Sequence, residues 1–171
     1  MWEQSGTGQT YTQDTGDKLY RRSLYTFWRR TSPPPAMTTF DAVSREVCVA
    51  RREITVTPLQ SLVLLNDPQF VEAARVLAEH LVRQHPGDAA ARHRDAFSRI
   101  TGRGPDAREA AILAQAFEEQ RRLYEADGQA AASLLAVGST PRDSTLPAAD
   151  VAATASVATL IFNFDAFLVI R

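Results

Sequence analysis

Four times between Thr57 and Glu109 the chain repeats one device: a small polar or acidic side chain, a residue suited to the first helical turn, then apolar residues three and four apart. A chain built this way has few options other than a set of amphipathic helices, because a strand needs two-residue alternation and no convincing run of it appears. Thr57-Pro58-Leu59-Gln60 supplies an N-cap threonine, a proline whose missing N–H is harmless at the first helical position, and a glutamine placed to close a capping box. It predicts a helix from about Pro58 to Asn66. Asp67-Pro68 repeats the signal, and Phe70, Ala74, Leu77 and Leu81, widened by Val71, Ala78 and Val82, predict a second helix to about Arg83.

Gln84-His85-Pro86-Gly87 breaks that helix, and Asp88 can cap the next, which reaches Ile100 before Thr101-Gly102-Arg103-Gly104-Pro105 ends it. Asp106 with Glu109 opens a long helix striped by Ala110, Leu113, Phe117, Gln120 and Tyr124, ending near Asp127-Gly128. A short helix from Gln129 to Val137, a polar loop from Gly138 to Pro147 and a last helix from about Pro147 to Phe164 complete the pattern. Upstream, Asp17 to Arg30 is expected as a helix carrying Tyr20, Leu24, Phe27 and Trp28. Ser32-Pro33-Pro34-Pro35 is expected to be extended, 37–42 an irregular strap, and Ser44, Glu46 and Val47 a short helical turn. The fold class is therefore all-α: an irregular lead rich in proline, arginine and aromatics, then a bundle of about five to seven helices. Residues 1–16 read as a polar, extended segment and 17–171 as a single helical domain.

Composition narrows the chemistry. With 171 residues, 44% apolar, the chain is long enough to bury roughly two thirds of its unfolded surface without disulfides or a structural metal. Lys18 is the only lysine among 19 basic residues, and 20 acidic residues offset them to a net charge of -1, which argues against a globally basic nucleic-acid binder. A lone Cys48 excludes an internal disulfide, any zinc site of two or more cysteines and the Cys-x-x-Cys-His attachment of c-type haem. The start, 1–18, has no basic stretch leading into an apolar run and so no signal peptide. The apolar stretch Val151 to Ile170 contains Asn163 and Asp165, and an aspartate in mid-bilayer costs at least ~2.5 kcal/mol; a buried terminal helix is expected rather than a membrane span.

Two clusters are candidates for chemistry. Arg21, Arg22, Arg29 and Arg30 interleave with Tyr20, Tyr25, Phe27 and Trp28, material for an anion or a stacked ring, or else a set of core aromatics with arginines paired to Asp17, Asp41 and Glu46. Asp41, Arg45, Glu46, Cys48, Arg51, Arg52 and Glu53 form the second; there the arginines would activate the thiol, or Cys48 would be a small buried hydrophobe between Val47 and Val49. His80, His85 and His93 lack helical ligand spacing and read as structural rather than zinc-binding, while Asn66-Asp67 and Asn163-Phe164-Asp165 read as helix-boundary caps. No catalytic residue and no metal ligand is assigned. The residues singled out for ligand contact are Trp28, Arg29, Arg30, Asp41, Arg45 and Glu46.

The run Leu19-Tyr20-Arg21-Arg22-Ser23-Leu24-Tyr25-Thr26-Phe27-Trp28-Arg29-Arg30-Thr31-Ser32-Pro33-Pro34-Pro35, followed by Phe40-Asp41-Ala42, Ser44-Arg45-Glu46, Thr57-Pro58-Leu59-Gln60 and Leu64-Leu65-Asn66-Asp67-Pro68, resembles the planctomycete-type secreted domain of unknown function 1553. Asn163-Phe164-Asp165 resembles that family's closing helix, so the resemblance covers nearly the whole chain. It implies the carboxy-terminal part of a larger exported protein, extracytoplasmic, with a companion domain and often a cytochrome c-like domain. Haem c would then lie in the parent protein, with no cofactor in this chain. Two departures stand out against the family: Val56 in place of asparagine, and Leu146 where an aspartate would cap the last helix. The resemblance implies a non-catalytic scaffold or interaction module, partnered by the companion domain and by a glycan or other anionic ligand, and able to self-associate through an apolar face left uncovered. The alternative is a part of an enzyme or redox protein acting in polysaccharide or sulfated-glycan breakdown with a haem domain elsewhere; a third reading is a remnant gene product. Membrane and nucleic acid are not expected partners.

Overall fold

The computed structural model describes residues 14, 16–26, 28, 33–43, 47–51 and 54–168, with eight α-helices and no strand among them. In chain order these are α1 (Pro35–Thr39), α2 (Pro58–Asn66), α3 (Pro68–Gln84), α4 (Ala89–Thr101), α5 (Ala107–Ala126), α6 (Gly128–Leu135), α7 (Ala148–Phe162) and α8 (Asp165–Leu168). The chain divides into two compact units within α2, Met1–Val63 and Leu64–Arg171.

In the second unit α3, α4 and α5 start where the sequence specifies. Asp67 accepts from the Gln69 amide at 2.9 Å, Asp88 from Ala91 at 2.9 Å and Asp127 from Ala130 at 3.0 Å. Asp106 and Glu109 close a reciprocal capping box at 2.7 and 2.8 Å. Each satisfies an amide that a helix start would otherwise leave unbonded, worth about 1 kcal/mol. Gly102, at φ 77, ends α4 in the left-handed conformation that glycine adopts without a Cβ penalty.

The organising element is α7. Its apolar residues run around the whole helix, which suits a helix buried over most of its surface. Ala153, Val157 and Ile161, one turn apart, join Leu81, Phe97, Leu113 and Phe117 in one core cluster. Val151, Ala152 and Ala155, on the other face, join Ala78, Val82, Ala131 and Leu135 in a second. Thus α7 packs against α3, α4, α5 and α6, and its alanines let those neighbours approach closely. No helix among the described residues is long and apolar enough to cross a membrane.

The lead departs from its expected form. Where a helix was expected from Asp17 to Arg30, residues Gly16–Tyr20 and Ser23–Tyr25 form two short 3-10 turns; Phe27, Arg29 and Arg30 lie outside the described residues. Tyr20, Leu24 and Tyr25 are exposed, so these three apolar residues do not supply the buried face that would stabilise a longer helix. Pro34 is extended (φ -57, ψ 127), but Pro35 begins α1 where a continued strap was expected, because the first helical position tolerates proline. The turn expected at Ser44 and Glu46 falls outside the described residues.

Candidate functional site

Of the six residues singled out for ligand contact, Arg29, Arg30, Arg45 and Glu46 lie outside the described residues. Trp28 is half-buried in the first unit. Asp41 sits just past α1 with a left-handed backbone (φ 58), a conformation that aspartate tolerates better than most residues. Its carboxylate accepts from the Thr55 amide and hydroxyl, each at 2.7 Å, and from the Gln60 amide at 3.4 Å. Gln60, only 2% exposed, also donates to the Thr39 carbonyl at 2.9 Å, while its oxygen accepts from the Thr57 amide at 3.0 Å. Thr57 and Gln60 thereby form the reciprocal cap read from the sequence, and Asp41 fastens the turn after α1 to the entry of α2. Elsewhere in the lead, the Arg22 guanidinium lies over the Tyr25 ring at 5.9 Å. Cys48 is exposed, contrary to its reading as a small buried hydrophobe.

The second unit holds a buried ionic network. On α3, Glu72, Arg75 and Glu79 are 1%, 0% and 5% exposed. Arg75 pairs with Glu79 at 2.7 Å and donates to the Thr140 carbonyl at 2.6 Å. Glu72 accepts from the Ser139 amide at 3.0 Å and the Thr140 amide at 2.5 Å, and Glu79 from the Asp143 amide at 3.3 Å. Arg83 closes the outer end on Asp143 at 3.0 Å. Buried charges persist only when paired and hydrogen-bonded, and here their partners are the backbone of the 138–145 loop. The network therefore clamps that loop onto α3. The sequence signal was the i, i+3, i+7 spacing of Glu72, Arg75 and Glu79 along the apolar stripe.

His85 and His93 make contacts within the second unit, while His80 is exposed on α3. His85 Nε2 lies 3.2 Å from Asp95, which also holds Arg99 at 2.7 Å. His93, 5% exposed, rests on Phe117 with ring centroids 4.9 Å apart, and its Nε2 has no hydrogen-bond partner among the described residues. Burial first, then the neighbouring Arg92 charge, lowers its pKa to about 4, against the opposing pull of Glu118 and Asp88. Arg92 bonds the His85 carbonyl at 3.0 Å and Asp150 at 3.4 Å, tying α4 to the preceding turn and to α7. At the start of α5 the fork of Arg103 on Glu109 holds that carboxyl at about 2. Asn163 caps as expected, donating to the Thr159 carbonyl at 3.1 Å. Among the described residues no group of three or more His, Cys, Asp or Glu side chains is arranged to hold a metal ion.

A cavity of about 410 Å³ opens on one side of α7. It is lined by Leu65 of α2, Val71 of α3, Ala116, Glu119 and Gln120 of α5, Leu134 of α6, and Ala155, Ser156, Val157, Thr159 and Leu160 of α7. Sequence reasoning did not find it, since its walls come from five helices spread over nearly a hundred residues and no local pattern marks it.

These features define an all-α module in which the buried charged groups of the second unit serve the fold. The chain belongs to the PSD1 family, described as "Protein of unknown function (DUF1553)", whose model matches residues 2–117. That span takes in the arginine-aromatic lead, α2 to α4 and half of α5, while Asn163-Phe164-Asp165 lies beyond it. No curated protein and no solved structure matches the chain.

Proposed function

We propose that the chain is a non-catalytic helical scaffold or interaction module of a larger extracytoplasmic protein, and that its partner is a companion domain of that protein. The observation that carries this reading is an exposed apolar run in the first unit: Val47, Val49, Ile54, Val56 and Leu59 are 70%, 49%, 57%, 57% and 55% exposed. Single exposed aliphatics are ordinary, but five within thirteen positions call for a covering surface. The clamp on α3 supports the same reading, because its charged side chains are engaged with loop backbone rather than turned to a substrate.

The test is light scattering with thermal unfolding by circular dichroism, on the 171-residue chain and on an Ile54→Asp, Leu59→Asp variant. The wild-type chain should associate as its concentration rises, and the variant should stay monomeric with an unchanged unfolding midpoint. A wild-type monomer whose midpoint is raised saturably by a sulfated oligosaccharide would overturn the proposal in favour of a ligand-binding or enzymatic role.

A further inference from the structure

We propose that the cavity beside α7 is a binding site for a small amphiphile, with an apolar body and a non-anionic head that donates hydrogen bonds. Its volume of about 410 Å³ falls within the range of small-molecule sites, and walls from five helices make it a concavity rather than a flat face suited to another protein. The body of the ligand is set by Leu65, Val71, Leu134, Val157 and Leu160, which offer aliphatic contact only. Neither an aromatic platform nor a set of paired carboxylates and amides lines it, which disfavours a sugar.

The head is set by what the polar lining residues still have to offer. The Ser156 hydroxyl donates to the Ala152 carbonyl and that of Thr159 to the Ala155 carbonyl, both at 3.0 Å, so their oxygens remain as acceptors. Tyr124 lies 3.2 Å from Ser156 and, because that hydroxyl's proton is already committed, donates to it. Glu119 adds an acceptor-only carboxylate at the rim, steadied by Gln115 at 2.8 Å. Gln120 supplies an amide that can give or receive. Acceptors outnumber donors and the one charged lining group is negative, which favours an alcohol, amide or amine head over a carboxylate, sulfate or phosphate.

The experiment titrates the full 171-residue chain with the neutral amine N-phenyl-1-naphthylamine, followed by fluorescence, and displaces it with decylamine or decyl sulfate. One saturable site per chain is expected, with decylamine displacing the probe at roughly tenfold or more lower concentration than decyl sulfate, a gap that narrows in Glu119→Gln. Ala116→Phe, which fills the cavity from a half-buried position on α5, should weaken probe binding at least about tenfold with the helical melt unchanged. Should that variant fail to fold, methyl resonances of the wild-type chain decide instead: shifts confined to Val71, Leu134, Val157 and Leu160 support the site. Shifts centred on Val47 to Leu59, equal displacement by both surfactants, no saturable binding, or a dimer whose formation alone accounts for the shifts would each overturn it.

Discussion

Gly138 shows how far one residue's geometry is dictated by a neighbour distant in sequence. Its φ of 101 lies where side chains other than hydrogen are strained, and a Cβ built there would come within 2.6 Å of Glu72 Cγ. Glu72 cannot swing aside, because its carboxylate is held by the amides of Ser139 and Thr140, the two residues that follow the glycine. Glycine is thus the residue that lets the loop backbone close over a buried carboxylate. Gly138→Ala should cost about 2–4 kcal/mol, combining left-handed strain with overpacking. In a double-mutant cycle with Glu72→Ala, read from urea midpoints, the two losses should be less than additive, since truncation removes the contacts with Cγ and the carboxyl carbon and leaves only the Cβ contact at 2.7 Å. Additive losses would show that the outer part of the Glu72 side chain places no demand on Gly138 beyond its backbone conformation and the Cβ contact.

At the scale of elements, the start of α7 corrects a reading of the sequence. With the helix expected to begin at Pro147, Leu146 looked like the place of a missing cap. The N-cap is instead Pro147, which makes no side-chain cap bond, and Leu146 is the residue before it. Leu146 packs against the cluster that contains Val151, four residues into the helix, so the pair forms a hydrophobic staple across the helix start. Leu146→Asp should therefore destabilise the bundle by about 1–2 kcal/mol, whereas Pro147→Asp, which supplies the missing acceptor, should stabilise it by about 0.5–1 kcal/mol. Urea midpoints of the two variants moving in the same direction would refute this assignment. The same contrast explains what was legible in the chain. Asp67, Asp88 and Asp106 act through amides two or three residues away, so α3, α4 and α5 could be placed from local sequence. The lead offered apolar spacing alone, and among its described residues Gly16–Tyr20 and Ser23–Tyr25 form 3-10 turns in place of the expected helix. Loop clamp and cavity stayed hidden because their partners, such as Arg75 and Thr140, are brought together only by the fold.

For the whole molecule, these local environments combine into a single dependence on pH. His93 is buried neutral, with a pKa lowered from 6.5 to about 4, so between those values the unfolded chain binds a proton that the folded chain refuses. Stability must then fall as the pH drops from about 6.5 towards 4, and this contribution levels off once both states are protonated. The shift corresponds to about 2 kcal/mol after discounting for solvent screening. Glu109, lowered from 4.5 to about 2 by Arg103, and Asp95 and Asp143, lowered from 3.8 chiefly by hydrogen bonds from Arg99 and Thr145, stabilise the fold above their unfolded values and lose that contribution as the pH falls further. Both effects therefore have the same sign but begin at different pH, and they give an acid unfolding profile in two stages. Chemical denaturation from pH 8 to pH 3 should show a plateau above about 7, a first decline between 6.5 and 4, and a steeper one below. His93→Leu, whatever it does to stability at neutral pH, should flatten the first decline and leave the second, while Glu109→Gln should soften only the second. A His93→Leu profile parallel to wild type across the upper interval would mean that the ring is protonated within the fold, and that its contact with Phe117 is made by a cation.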